Sequence, residues 1–324
     1  MIKDASKIIS LNIEDLIKVL KQKALKYSNT PMLSRTHGQT ASPTTMGKEF
    51  ANFVHRISSI NKSIKGASLK GKINGAVGNF NAHTVAYPDV NWEIVSRKFI
   101  KGLGLEVNTH TTQVEPKDSI AELFFNYVRL NNVLIDFSRD IWGYISLGYF
   151  KQKLKKGEIG SSTMPHKVNP IDFENAEGNL GLANSNFQHL SNTVVISRWQ
   201  RDLTDSTVMR NIGLCYGHTN LALSSLLKGV YKLEINKDQL KHDLDSSWEV
   251  LTEAMQTIFR KHLIKDGYEL MKELSRGKKI SKEDLHNLID KIDIPSEEKN
   301  ALKNLTPSSY TGIANTLAKQ LKDS

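Results

Sequence analysis

Apolar residues recur at helical spacing along most of this 324-residue chain. Residues 6–28 carry a first stripe, which Pro31 ends. A polar, irregular stretch at 34–45 follows, and helical spacing then resumes at Met46, Phe50, Phe53, Val54 and Ile57. We find no convincing alternating pattern of the kind that indicates a strand. The sequence therefore predicts an all-α fold.

The longest stripe begins after Pro116 and continues for more than six turns. Its apolar members are Ile120, Leu123, Phe124, Tyr127, Leu130, Leu134, Phe137, Ile141 and Ile145. Asp118 or Ser119 is a candidate N-terminal cap, since Glu122 stands three residues beyond the serine. Such a helix is about 45 Å long. Helices of this length pack as extended bundles, often shared between subunits.

Other segments fill in the architecture. The stretches 171–195 and 205–232 are compatible with long helices, and residues 92–102 predict a short one. Residues 71–91 are rich in Gly and Asn and predict a loop.

The pattern changes near Leu233–Asn236, where shorter helices with clear start and stop signals begin. These signals are Gly277, Ser281 as a cap, Pro295-Ser296 and Thr306-Pro307. We therefore predict a central helical-bundle domain over residues 1–232 and a smaller C-terminal helical domain over residues 233–324.

Composition excludes several classes of protein. No run approaches the ~18 apolar residues that cross a membrane, and the opening segment MIKDASKIISLNIEDL lacks the pattern of a signal peptide. The single cysteine, Cys215, excludes an internal disulfide and a cysteine-based zinc site. We expect a cytoplasmic protein with no membrane partner.

The formal net charge of +10 has two interpretations, a nucleic-acid surface or attraction of a small anionic substrate. The lysines are dispersed along the chain, which is typical of a solvated surface. No zinc-finger or RNA-reading signature is present. We therefore predict no nucleic-acid partner.

One segment brings unusual chemistry together: Gly160-Ser161-Ser162-Thr163-Met164-Pro165-His166-Lys167-Val168-Asn169-Pro170. Two prolines five residues apart exclude a regular helix. The resulting loop joins two hydroxyls, an imidazole, an ammonium and an amide. As a string it matches the GSSxMPxKxNP signature of the fumarase/aspartase superfamily.

Four further segments narrow the resemblance. Residues 34–39 (SRTHGQ) resemble the second signature of the superfamily, which contains a catalytic histidine. Residues 75–79 (GAVGN), 111–113 (TTQ) and 197–206 (SRWQRDLTDS) resemble the bacterial adenylosuccinate lyase branch. Argininosuccinate lyases typically carry glutamine, and fumarases glycine, where this chain has His166.

This resemblance implies a long-helix bundle and a defined reaction. Adenylosuccinate lyases eliminate fumarate from adenylosuccinate, giving AMP, and from the succinyl-aminoimidazole-carboxamide ribotide (SAICAR), giving AICAR, in de novo purine biosynthesis. The family needs no cofactor or metal and forms homotetramers whose active sites combine several subunits. Its members carry a further N-terminal domain, and we expect this chain to lack it, as a truncated or fragmentary form.

The resemblance also assigns catalytic roles. Ser161 is the expected base, and because a free serine hydroxyl is a weak base, the ammonium of Lys167 must favour its ionised form. Asn169 and backbone amides would hold the substrate carboxylate. Ser162 remains an alternative base. His37 is the expected general acid, because imidazole donates protons near neutral pH.

The expected substrates are succinyl nucleotides, which need cationic and amide partners. The residues that match the family at such positions are Thr36, Gln113, Ser162, Lys167, Asn169, Asn175, Arg201, Ser206, Thr207 and Arg210. Arginine suits phosphate and carboxylate because its planar fork binds both oxygens. The alternative for Arg201 and Arg210 is a surface ion pair with Asp202 or Asp205.

Three other interpretations remain open: another lyase of the superfamily, chiefly argininosuccinate lyase; an inactive scaffold; and a basic helical nucleic-acid binder. Within the lyase interpretation, residues 151–167 carry two glycines and few large apolar side chains. Such a segment opens and closes at small cost. We predict that it closes over bound substrate.

Overall fold

The computed structural model describes residues 1–153, 168–265, 267, 269, 271, 272 and 280–323. Helices dominate, and the all-α prediction is confirmed. The helices are α1 Ile2–Lys26, α2 Met46–Gly66, α3 Asn81–Ala86, α4 Trp92–Gly102, α5 Asp118–Ser146, α6 Ile171–Thr193, α7 Thr204–Val208, α8 Ile212–Lys232, α9 Lys237–Asp245, α10 Thr252–Lys261, α11 Lys282–Lys291, α12 Ser296–Asn304 and α13 Ala314–Lys319. Within the described residues, none of these helices has the length and hydropathy of a membrane span.

Short strands accompany the helices and form three two-stranded sheets in the described part of the chain. The strands are β1 Pro31–Thr36, β2 Gln39–Thr45, β3 Lys70–Gly71, β4 Glu106–Val107, β5 Phe150–Gln152 and β6 Leu233–Ile235. β1 with β2 and β5 with β6 are antiparallel, whereas β3 with β4 is parallel.

The chain divides into two compact units. The first contains residues 1–17, 55–143 and the described part of 156–232; the second contains residues 18–54, 144–155 and 233–324. One boundary falls between Lys232 and Leu233, where the sequence predicts a domain boundary. The second unit also contains residues 18–54 and 144–155, which precede this boundary. The predicted division into domains 1–232 and 233–324 therefore stays a prediction.

The core of the first unit lies between α5, α6 and α8. Tyr127 of α5 stacks on Phe187 of α6, with ring centroids 5.2 Å apart, and Tyr216 of α8 meets Tyr127 edge-on at 5.1 Å. α6 and α8 approach closely at Gly229, where a Cβ atom would lie 2.9 Å from the ring of Phe173. Aromatic packing at these distances fixes the three helices side by side.

The second unit has its own apolar core, built from Leu33 of β1 and the C-terminal helices. Its buried members include Leu244, Leu251, Met255, Phe259, Leu285, Leu288 and Ile289. The predicted cap at Ser281 is confirmed: Ser281 Oγ accepts from the backbone N–H of Asp284, and Asp284 caps in return. The predicted helix start at Pro295-Ser296 is also confirmed.

Several predicted details are wrong. Residues 34–45 form most of a hairpin rather than an irregular stretch, and the predicted loop at 71–91 contains α3. The stretch 205–232 is two helices separated by a 3₁₀ turn at Met209–Asn211. Thr306-Pro307 opens a hydrogen-bonded turn rather than a helix.

Both predicted caps of α5, Asp118 and Ser119, are wrong as well, because the backbone N–H groups of Ile120 and Ala121 donate to the carbonyl of Lys117. The helix begins at Asp118, so Ser119 lies inside it, and the buried Ser119 hydroxyl has no hydrogen-bond partner among the described residues. The length of α5, 29 residues, agrees with the predicted ~45 Å.

Candidate active site

Lys72 joins two of the motif segments in the first unit. Its Nζ donates to the carbonyl oxygens of Gly75 at 2.8 Å, Thr112 at 2.9 Å and Gln113 at 2.8 Å. An ammonium has three protons to donate, and each finds an acceptor. Burial lowers the pKa of Lys72. The segments 75–79 and 111–113 are therefore fixed to each other by one side chain.

Gly78 and Asn74 bring the same two segments into closer contact. Gly78 has a φ of +90°, and a Cβ atom at this position would lie 2.0 Å from the carbonyl oxygen of Thr111. Asn74, which is 2% exposed, donates through Nδ2 to Thr111 Oγ1 at 2.9 Å. Only glycine permits this approach, because any side chain would displace the Thr111 carbonyl.

The segment 197–206 contacts the segment 111–113 and also Lys117, which follows that segment. The backbone N–H of Gln113 donates to the carbonyl of Gln200 at 3.2 Å. Lys117 and Asp205 form an ion pair at 2.6 Å, with side chains 13% and 12% exposed. Burial alone would raise the pKa of Asp205, but the hydrogen bond and charge of Lys117 outweigh it and hold that pKa below its usual value. Three separated motifs thus form one cluster.

The two candidate arginines are exposed. Arg201 donates through Nε to the main-chain carbonyl of Asp202 at 3.3 Å, while the Asp202 carboxylate pairs with Arg198 at 3.1 Å. The alternative interpretation, in which Asp202 or Asp205 pairs with Arg201 or Arg210, is therefore wrong for the described residues. Both guanidinium groups remain available for an anionic ligand.

Ser206 and Thr207 lie on α7 beside Arg201. The backbone N–H of Ser206 donates to Asp205 Oδ1 at 2.7 Å, and Thr207 is exposed. Together with exposed Gln113, these residues share one region of the first unit.

Asn175 lies in a different region of the same unit. Its Oδ1 accepts from Ser225 Oγ at 2.8 Å, and Asn179 Oδ1 meets His218 Nδ1 at 2.8 Å. Ser225 stands 13 residues along α8 from Ile212, where that helix begins next to the Arg210 turn. At 1.5 Å per residue, this separation is about 20 Å. Within one chain, Asn175 therefore lies far from Arg210.

His37 lies in the second unit at the tip of the hairpin formed by β1 and β2. Thr36 pairs with Gln39, which leaves His37 and Gly38 as a two-residue turn. Their φ values are 53° and 74°, and positive φ at both positions is typical of a type I′ turn. His37 and the neighbouring Thr36 are exposed, so the hairpin presents the imidazole to solvent.

Three predicted site residues, Ser161, Ser162 and Lys167, lie outside the described residues, as does most of the predicted closing segment 151–167. Asn169 is half-buried just before α6. In the described part of the chain, no group of three or more His, Cys, Asp or Glu side chains is arranged to hold a metal ion.

Lys72, Asn74 and Lys117 also hold the cluster together, although the sequence alone did not identify them. Their positions next to the motifs could have indicated this role: Lys72 and Asn74 lie just before the GAVGN motif, and Lys117 follows the TTQ motif. The partners of Lys72 are main-chain carbonyls, which no residue spacing reveals.

Comparisons with known families cover most of the chain. The family described as "Lyase" matches residues 1–183, and the family described as "Adenylosuccinate lyase C-terminal" matches residues 197–311. The adenylosuccinate lyase of Buchnera aphidicola subsp. Schizaphis graminum is 53% identical over 323 residues, which is 99% of this chain and 71% of that protein. The adenylosuccinate lyase of Escherichia coli K12 is 54% identical over 307 residues, covering 95% of this chain and 67% of that protein.

Solved structures share the fold. A fumarate lyase from Mesorhizobium sp. BNC1 superposes with a TM-score of 0.79 at 19% identity, covering 100% of this chain and 74% of that one. The 3-carboxy-cis,cis-muconate lactonizing enzyme from Pseudomonas putida gives a TM-score of 0.75 at 21% identity, covering 98% of this chain and 72% of that one. At such low identity the likeness concerns the fold alone.

Proposed function

This chain belongs to the adenylosuccinate lyase family, and from that premise we infer that it is a carbon–nitrogen lyase. It eliminates fumarate from adenylosuccinate, giving AMP, and from SAICAR, giving AICAR, in de novo purine biosynthesis. The observation that carries this conclusion is identity above 50% with adenylosuccinate lyases over nearly the whole chain. The motif segments at 75–79, 111–113 and 197–206 are also fixed together in one cluster.

The reaction needs a base for the proton next to a carboxylate and an acid for the departing nitrogen. We assign the base to Ser161 and the acid to His37. The exposed position of His37 on a two-residue turn supports this role, because the imidazole can approach a substrate without moving a helix. Imidazole also donates protons effectively near neutral pH.

Substrate binding relies on cations and amides. Arg201 and Arg210 are exposed and form no ion pair among the described residues, which suits them to the phosphate and carboxylates of a succinyl nucleotide. We assign supporting contacts to the other family-matched positions: Thr36, Gln113, Ser162, Lys167, Asn169, Asn175, Ser206 and Thr207. No cofactor takes part in this proposal.

A homotetramer with shared active sites is the assembly we propose. Its first support is the separation of about 20 Å between Asn175 and the Arg210 region in one chain. Its second support is exposed apolar side chains on α5, α6 and α8: Phe125 43%, Leu182 53%, Leu214 54%, Leu221 57% and Tyr231 61%. Apolar surface of this kind marks contact sites.

We also place the enzyme in the cytoplasm. Its single cysteine, Cys215, is buried and unpaired, as is usual for proteins of a reducing compartment.

Parallel ultraviolet assays test the activity. The purified chain is supplied with adenylosuccinate, SAICAR or argininosuccinate, and fumarate release is followed. We expect turnover of both succinyl nucleotides and none of argininosuccinate. Turnover of argininosuccinate alone would overturn the proposal.

Mixing experiments test the shared site. The variants His37→Ala and Ser161→Ala are each expected to be inactive. If His37 and Ser161 of one active site come from different subunits, a mixed tetramer contains some sites with both residues intact. Subunit exchange between the two variants should then restore fumarate release. Light scattering on the same samples should show a tetramer. A stable monomer at micromolar concentration would contradict the assembly.

A further inference from the structure

The hairpin that presents His37 is exposed along its outer part. Met32 and Leu33 at its base are each 1% exposed, whereas all five residues from Thr36 to Thr40 are exposed. A two-stranded ribbon in water is only marginally stable by itself. The orientation of the His37 side chain therefore depends on the contacts that β1 and β2 make with residues outside the hairpin.

On β1, the holding contact is the Asp243 anchor, which consists of Arg35, Tyr149 and Asp243. Arg35 Nη2 lies 3.0 Å from Asp243 Oδ2, and the Tyr149 hydroxyl donates to the same oxygen at 2.8 Å. Arg35 also donates to the Tyr149 oxygen at 3.4 Å, and Gln239 of α9 donates to Asp243 Oδ1 at 2.9 Å. Both carboxylate oxygens are therefore engaged.

Burial raises the pKa of Tyr149 to about 12. Its phenol consequently stays protonated and donates to Asp243 throughout the neutral range. The side chains of Arg35 and Asp243 are 27% and 17% exposed, so water competes only partly for this contact.

On β2, a second group of the same kind forms the Glu253 anchor, which consists of Ser42, Tyr310 and Glu253. Ser42 Oγ and the Tyr310 hydroxyl both donate to Glu253 Oε2, the latter at 2.9 Å. Burial and the bond to Glu253 raise the pKa of Tyr310 to about 12. Each strand of the hairpin is thus held by one carboxylate that also accepts from one tyrosine.

The Asp243 anchor lies close to the turn, whereas Ser42 of the Glu253 anchor lies farther along β2. Arg35 pairs with Thr40, one residue pair before the Thr36–Gln39 pair that closes the turn. At about 3.4 Å per residue along a strand, Arg35 is roughly 7 Å from His37. We therefore expect a shift of Arg35 to change the position of the imidazole.

We propose that Asp243 and Glu253 are positioning residues for His37, and that the C-terminal helices α9 and α10 aim the proton donor through these two anchors. This inference rests on the proposed function, because it assigns meaning to the direction of the His37 side chain. Neither carboxylate need touch the substrate.

The primary variants are Asp243→Asn and Glu253→Gln, which remove the charge and keep the size. We expect kcat for fumarate release to fall about 10- to 100-fold, the range for a misplaced catalytic group, with little change in KM. The control is Glu298→Gln. Glu298 is a carboxylate of the same unit that pairs with Lys261 at 2.9 Å and His262 at 2.8 Å, neither of which belongs to the hairpin. This control should keep its kcat.

A double-mutant cycle separates positioning from general destabilisation. In the background His37→Asn, a residue that acts through His37 has nothing left to position. We therefore expect His37→Asn/Asp243→Asn to show the same residual rate as His37→Asn alone. A further fall of tenfold or more would show that Asp243 acts elsewhere, and would overturn the inference.

Hydrogen exchange of the peptide covering residues 31–45 gives a readout that needs no turnover. We expect exchange in Asp243→Asn and Glu253→Gln to be at least about tenfold faster than in the wild type and in Glu298→Gln. Unchanged exchange would overturn the anchoring. If His37→Asn were fully active, the acid role itself would fail, whereas an inactive His37→Asn with a normal Asp243→Asn would overturn this inference alone.

Discussion

Lys117 and Asp205 form an ion pair at 2.6 Å in which each side chain is nearly buried. Lys117→Met would leave the Asp205 carboxylate without its cation, and we expect the free energy of unfolding to fall by about 3 kcal/mol. The exposed pair Arg198–Asp202 provides the control, since Arg198 is 80% exposed and Arg198→Met should cost less than about 1 kcal/mol. Urea unfolding of the two variants measures the contrast. Equal losses of unfolding free energy in the two variants would contradict the conclusion that the Lys117–Asp205 pair stabilises the fold more than an exposed pair does.

The same pair predicts a pH dependence. The folded-state pKa of Asp205 lies below the unfolded value, which is about 3.9. The stabilisation by Lys117 is therefore fully present above pH ~4 and is lost as the pH falls through the lowered pKa. The difference in unfolding free energy between wild type and Lys117→Met should shrink in this acid range. A difference that stays constant down to pH 3 would refute the conclusion that Lys117 lowers the pKa of Asp205.

Gly78 and Gly75 offer a matched test of the motif cluster. Both have positive φ, +90° and +84°, but a Cβ atom at Gly75 would approach nothing closer than 3.6 Å, against 2.0 Å at Gly78. Gly75→Ala should cost only the strain of positive φ, about 1–2 kcal/mol. Gly78→Ala should cost at least about 2 kcal/mol more and should lower fumarate release, because it must displace the Thr111 carbonyl. Similar behaviour of the two variants would mean that the close approach is unimportant.

The helices of this fold could be predicted from sequence because burial on one face imposes a visible period. The hairpin at β1 and β2 could not, since its outer residues are polar on both faces and the pairing register shifts between Met32 and Ser34. One local signal was present, the His37-Gly38 pair in a two-residue turn.

Variants of the proposed catalytic residues test the division of labour. His37→Asn and Ser161→Ala should each lower turnover by at least ~100-fold. Asparagine tolerates the positive φ of position 37 (φ 53°), so His37→Asn should keep its thermal stability while His37→Ala loses some. Ser162→Ala serves as the comparison: it removes a proposed substrate contact but not the base, so its turnover should fall much less than that of Ser161→Ala. If Ser162→Ala is the inactive variant, the base is Ser162.

Lys23 gives a second pH-dependent prediction, of opposite sign. Burial lowers the pKa of its ammonium to about 8, with a smaller effect of the nearby Lys26. The charged form therefore opposes folding below pH 8, and Lys23→Met should raise the free energy of unfolding at pH 7. That gain should disappear as the pH rises from 8 towards the unfolded value of 10.5. Exposed Lys26→Met, the control, should change stability by less than about 0.5 kcal/mol. No gain in Lys23→Met at pH 7 would contradict the prediction.

The family motifs could be predicted from sequence, but not the contacts that hold them. Arg201 illustrates this: the sequence offered Asp202 and Asp205 as partners, yet Arg198 and Lys117 occupy those carboxylates. Which of two neighbouring cations reaches a carboxylate depends on how the chain turns, and spacing does not reveal it. Asn175 illustrates a second limit, because its separation from Arg210 follows from the length of α8.

The contact between Gln113 and Gln200 has a consequence for the order in which the molecule folds. The two residues are 87 positions apart, and both α5 and α6 lie between them in sequence. Closing so long a loop is entropically unfavourable until those helices have packed. The turn at His37, by contrast, joins neighbouring residues, and such hairpins close within microseconds. We therefore expect the turn at His37 to form early but to persist only once Asp243 and Glu253 hold its strands, and we expect the cluster of the three motif segments to be completed among the last events of folding.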